Sequence, residues 1–121
     1  MSDTKYVVGL YRDPRRRSGP EGRFFEEVTA VVFDASIAHS DMEMLFLSVH
    51  SAGFFRVDPA TSTVRCSGRS ESLGIDSKPA IDEYYVASAL GLRLPASTPP
   101  LSPADLRDAL VEERRSRFSK R

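Results

Sequence analysis

Tryptophan is absent from the 121 residues and cysteine occurs once. A lone Cys66 excludes an internal disulfide and fits a reducing compartment, so packing alone must hold the fold. Long apolar runs are missing as well. Residues 30–33 and 44–47 are among the longest, far too short to cross a bilayer. Met1, Ser2, Asp3, Thr4 and Lys5 carry no apolar leader, so the expected compartment is the cytoplasm, with no membrane partner. Net charge is zero, 17 bases against 17 acids, which excludes a field of one sign over the whole molecule.

Motifs for chemistry are also wanting. No serine has the G-x-S-x-G context of a nucleophile elbow, and the stretch between Gly68 and Gly74 lacks the lysine of a phosphate loop. Two histidines fall short of a zinc site with several nitrogen or sulfur ligands. The sequence therefore implies no cofactor, no metal and no catalytic residue.

What is present is ordinary globular composition, 40% hydrophobic and 28% charged, in a chain of about one domain's length. The charge is unevenly laid out. Residues 12–23 hold Arg12, Arg15, Arg16, Arg17 and Arg23 against Asp13 and Glu21. Residues 114–121 hold Arg114, Arg115, Arg117, Lys120 and Arg121 with no acid, while 24–106 carry eleven acids and five bases. An acidic body with two basic extremities is the result, a layout that can steer an acidic partner.

Residues 5–12 (KYVVGLYR) alternate as a strand with Tyr6, Val8 and Leu10 on one face. A loop is expected over 13–22, where two prolines and two glycines interrupt any ladder. Residues 24–34 then read as a central strand antiparallel to the first. Ser40 and Glu43 are spaced as a capping box, and Met42, Leu45, Phe46 and Val49 follow helical periodicity, so a helix is expected up to Gly53. The competing reading is a strand over 42–50, because Met44 and Leu47 fall off that stripe.

Asp58 and Pro59 suit a type I turn between strands at 54–57 and 62–67. Symmetric closure would set Phe55 opposite Val64 and Gly53 opposite Cys66. Phe54, Arg56, Thr63 and Arg65 would then share the outer face. A helix opens at Pro79, lines its inner side with Ile81, Tyr85 and Ala89, and stops at Gly91; Asp82 and Glu83 complement its dipole. Proline-rich residues 95–100 make a stiff spacer, and Ser102-Pro103 starts a last helix with Leu106, Ala109 and Leu110 as its short stripe. The expected fold class is α+β: a four-stranded, mainly antiparallel sheet in the order β-β-α-β-β-α. Two helices would lie on one face. Residues 1–95 would form the compact domain, and 96–121 a Pro-rich tether with a basic helix.

Each polar constellation has two readings. His39, Asp41 and Glu43 could hold a metal or serve acid–base chemistry, yet helix capping explains all three. His50 reads as a helix-end residue. Cys66 reads as a buried structural thiol on the apolar side. Arg15, Arg16 and Arg17 could meet phosphates or an acidic protein, or be a solvated loop. Arg114, Arg115 and Arg117 surround Phe118, an aromatic that a partner, a neighbouring subunit or the domain itself must cover. Phe54 between Arg56 and Arg65 could stack a nucleobase, although an internal cation–π pair with Arg65 is the simpler account. The function expected is a non-catalytic regulatory or accessory protein that binds a protein partner or forms a homo-oligomer. The alternatives are a nucleic-acid-binding module using the arginine segments, and a small enzyme using His39, Asp41 and Glu43.

Overall fold

The computed structural model describes residues 4–18, 23–95 and 102–119, with backbone alone at 13–18, 23–25, 115 and 117–119. The main sheet is antiparallel with strand order β2-β1-β3-β4, formed by β1 (Thr4–Ser18), β2 (Arg23–Phe33), β3 (Phe46–Asp58) and β4 (Thr63–Ser67). A small hairpin, β5 (Arg69–Ser70) with β6 (Ile75–Asp76), leads into α2 (Pro79–Leu90). A short α1 (His39–Met42) precedes β3, and α3 (Pro103–Ser119) closes the described chain.

β1 is central because it is apolar on both sides. Tyr6, Val8 and Leu10 belong to the main core, and Val7 to a second cluster on the opposite face, all four at 0% exposure. The loop expected from residue 13 begins as a local break only. The β1–β2 register jumps between Asp13 and Arg17, so Pro14, Arg15 and Arg16 fall in a bulge, and the ladder resumes with Arg17 opposite Phe24. A bulge tolerates Pro14 because it asks no amide of the ladder there.

The helix expected from Ser40 is corrected. α1 spans four residues, its N-cap is Ala38 without a side-chain bond, and a 3-10 turn (Glu43–Leu45) delivers the chain into β3. The capping box does not form; the Ser40 amide donates to Ser72 Oγ at 3.1 Å. The cause of the misreading lies in β3 itself. Opposite β1, Val8 meets Ser51 and Gly9 meets Val49, then Leu10 meets Ser48 and Tyr11 meets Phe46. His50 and Leu47 are the extra residues, and each flips the pleat. Phe46, Val49 and Ala52 thereby face one cluster at three-residue spacing, which imitates a helix. The glycine at position 9 follows from this distortion, since a Cβ there would run into Ser48 O and stand 3.1 Å from Val49 Cα.

The β3–β4 hairpin is longer than expected. Asp58 pairs with Thr63, Val57 with Val64 and Phe55 with Cys66, leaving residues 59–62 as the connection. Ser62, at φ 57°, donates its amide to Asp58 O at 2.8 Å, and the Asp58 carboxylate receives the Ala60 amide. The two-residue offset preserves parity, so Phe55, Val64 and Cys66 are buried and Arg56 and Arg65 are exposed.

α2 begins with Pro79 and ends on Gly91 in the left-handed conformation, as the sequence indicates. Its inner face is rotated toward Asp82 and Val86, with Ala89 exposed. In α3 the Ser102 hydroxyl caps the Asp105 amide at 3.1 Å. Leu106 and Leu110, each 2% exposed, join the cluster of Tyr6, Val8 and Leu10. The boundary drawn at residue 95 therefore does not divide the core. The two helices sharing a sheet face are α2 and α3, whereas Met42 of α1 packs on the other side with Val7, Phe33 and Ala52. The proline-rich spacer, apart from Pro95, lies outside the described residues.

Candidate functional site

The arginines singled out in the sequence do not converge. Arg15, Arg16 and Arg17 sit on the far end of β1, beyond Tyr11, the last β1 residue paired with β3. Arg56 and Arg65 lie at the opposite end, directly across from each other on β3 and β4, near where Phe55 meets Thr4. The separation along β1 is roughly 35 Å at strand rise. Arg114 is half-buried on α3 and engaged by neighbouring groups. Arg115, Arg117 and Phe118 are on the α3 backbone, their side chains outside the described residues. Phe54 is corrected in its partner: its ring meets His39 edge-on at 5.6 Å, where the sequence suggested Arg65.

His39 turns inward. It is 3% exposed, stands between Phe33 and Phe54, and donates from Nε2 to Gly53 O at 2.9 Å. Burial holds its pKa below the usual histidine value, so the ring is a neutral core group. Asp41 and Glu43 are exposed, and among the described residues no group of three His, Cys, Asp or Glu could hold a metal ion.

His50 is the extra residue of the second β3 bulge, not at a helix end. Its carbonyl accepts from Lys78 Nζ at 3.0 Å, while its Nε2 is buried without a hydrogen-bond partner. Burial, and then the Lys78 charge, push its pKa down from 6.5 to about 4. Below pH 6.5 the unfolded chain takes up a proton that the folded ring refuses. Stability from this residue is therefore full above pH 6.5 and is lost as pH falls toward 4. Replacing His50 by Gln should remove about 3 kcal/mol of acid-side stability loss, read as the difference between two urea-unfolding series across that window.

The sequence marked Asp82 only as a dipole partner, and its burial escaped that reading. Asp82, 0% exposed, receives hydrogen bonds from Tyr6 Oη, Ser51 Oγ and the Lys78 amide (2.7 Å). Burial raises its pKa against the pull of those donors, and raises that of Tyr6. Cys66 beside it is 5% exposed, with its thiol pushed up to about 12, first by burial and then by the Asp82 and Glu83 charges. Tyr6 and Ser51 are also 0% exposed, so no substrate reaches the carboxylate. What the node does is tie β1, β3 and the start of α2 together.

Side chains reach the backbone of both edge strands. Glu83 Oε2 accepts the Cys66 amide on β4 at 2.9 Å, and Arg107 Nε donates to Glu26 O on β2 at 2.7 Å. Lys78 closes β3 at His50. β4 pairs back along β3 only to Phe54, so over 46–53 the strand paired with β3, among the described residues, is β1 alone.

A groove of about 530 Å³ runs there, floored by residues 46–49. Glu43 and Met44 of the 3-10 turn form one wall, Glu113 of α3 the other, and Ile75 lines it too. Met44, in the lining, is 86% exposed, and Leu45 next to it in the chain 41%. Met44 and Leu47, off the helical stripe in the sequence, were the available signal for this surface. Among the described residues no helix is long and apolar enough to cross a membrane. No family model, no curated protein and no solved structure matches the chain.

Proposed function

We propose that this is a non-catalytic binding protein of regulatory or accessory type, and that its partner is another protein seated along the groove at β3. The observation that carries this reading is the groove of about 530 Å³ beside β3, with Met44 in its lining 86% exposed. Exposed apolar groups around a concavity are what a protein partner otherwise covers. A nucleic-acid reading draws less support, because the arginines are spread along the sheet where a backbone track would need them aligned.

A photo-crosslinking amino acid at Met44 in the intact chain, expressed in the source cells, tests this reading. The expected result is a discrete protein adduct that is missing when the same group replaces Ser88, an exposed residue of α2. No adduct from position 44, or the same adducts from both positions, would overturn it.

A further inference from the structure

Resting on that reading of the groove, we propose that His39 is an acid-operated latch on one of its walls. Protonation of the buried ring frees α1 together with the 3-10 turn that carries Glu43 and Met44. His39 is the first residue of α1, and the turn follows Met42 without a break. Its ring is 3% exposed, edge-on to Phe33 of β2 at 5.5 Å and to Phe54 of β3 at 5.6 Å. Nε2 donates to Gly53 O at 2.9 Å. The other holds on the segment are lighter. Met42 packs beside Val7, Phe33 and Ala52, the Ser40 amide meets Ser72 Oγ, and Lys5 Nζ donates to Ile37 O just ahead of the helix.

The clamp suits a neutral ring. A charge held between two phenyl rings, away from water, is costly. Burial accordingly lowers the pKa of His39 from 6.5; the bond to Gly53 pulls the other way, and Lys5 adds to the lowering. Among the described residues, the charged groups nearest it along the packed elements are Lys5 of β1, Asp34 just after β2, Arg56 of β3 and Glu71 beside Ser72. Asp41 and Glu43 lie on the segment itself and are exposed. Opening lets water reach the ring, which then takes up the proton that the closed form refuses. The closed form is thus fully favoured above pH 6.5 and loses ground as pH falls. Each pH unit below 6.5 should raise the open fraction about tenfold, until the closed ring itself titrates.

The test is amide exchange of the intact ¹⁵N-labelled chain between pH 7.5 and 5, corrected for the intrinsic pH dependence of exchange. The Glu43 and Phe46 amides, which donate to Ser40 O and Glu43 O, report the segment. Their protection should fall about tenfold between pH 6.5 and 5.5, while β1 amides keep theirs. His39→Gln retains a donor for Gly53 O but cannot titrate, so its protection should stay flat. His50→Gln removes the other imidazole and should leave the response intact, which assigns it to His39 even if the first variant does not fold. Flat protection in the parent chain overturns the latch. So does an equal loss in His39→Gln, or disappearance of the loss in His50→Gln. If acid opens the segment while the Met44 crosslink captures nothing, the latch stands and the protein-binding reading falls. Flat protection with a captured partner does the reverse.

Discussion

Asp82→Ala should cost about 3–5 kcal/mol of folding stability, read as a drop in the urea midpoint followed by tyrosine fluorescence. The carboxylate is 0% exposed and accepts from Tyr6 Oη, Ser51 Oγ and the Lys78 amide. Truncation strands two fully buried hydroxyls and one backbone amide, at roughly 1–3 kcal/mol for each buried group left unpaired. Against the 5–15 kcal/mol typical of a domain, that places the variant near the edge of folding.

Asp82→Asn separates shape from charge. Because burial raises the folded pKa, the contribution of Asp82 is fully present below its unfolded value of 3.8 and declines as pH rises through the folded one. The penalty of the Asn variant should accordingly be smaller at pH 7 than at pH 4. An Ala variant within 1 kcal/mol of the parent would mean that the node does not hold the three elements together.

How much of this was legible depends on what each residue had to signal. The β1 face of Tyr6, Val8 and Leu10 and the limits of α2 at Pro79 and Gly91 were written in alternation and backbone chemistry, which are local. Residues 40–53 were not, because bulges at Leu47 and His50 give a strand the three-residue spacing of a helix. Asp82 was read as a dipole partner; its burial depends on Tyr6 and Ser51, 76 and 31 positions away. The groove was unreadable for the same reason. Glu43 and Glu113 face one path only once α3 has crossed from β2, where Arg107 meets Glu26 O, to β3.

Basic extremities were plain in composition, yet composition says nothing about convergence. β1 is long enough to set Arg15, Arg16 and Arg17 at the other end of the sheet from Arg56 and Arg65.

The functional account depends on α3 being part of the core, since this helix supplies the Glu113 wall. Leu106 and Leu110, each 2% exposed, are the buried side chains through which it joins the cluster of Tyr6 and Val8, with Val111 packed against it as well. Truncating either should leave a cavity costing about 2–5 kcal/mol. Ser116, exposed on the same helix, serves as the control. The deciding measurement is the urea midpoint of intact chains carrying Leu106→Ala, Leu110→Ala or Ser116→Ala. A docked α3 predicts large losses for both leucine variants and a change within about 0.5 kcal/mol for the serine one. Three indistinguishable midpoints would show the helix to be an appendage and leave the groove without its second wall.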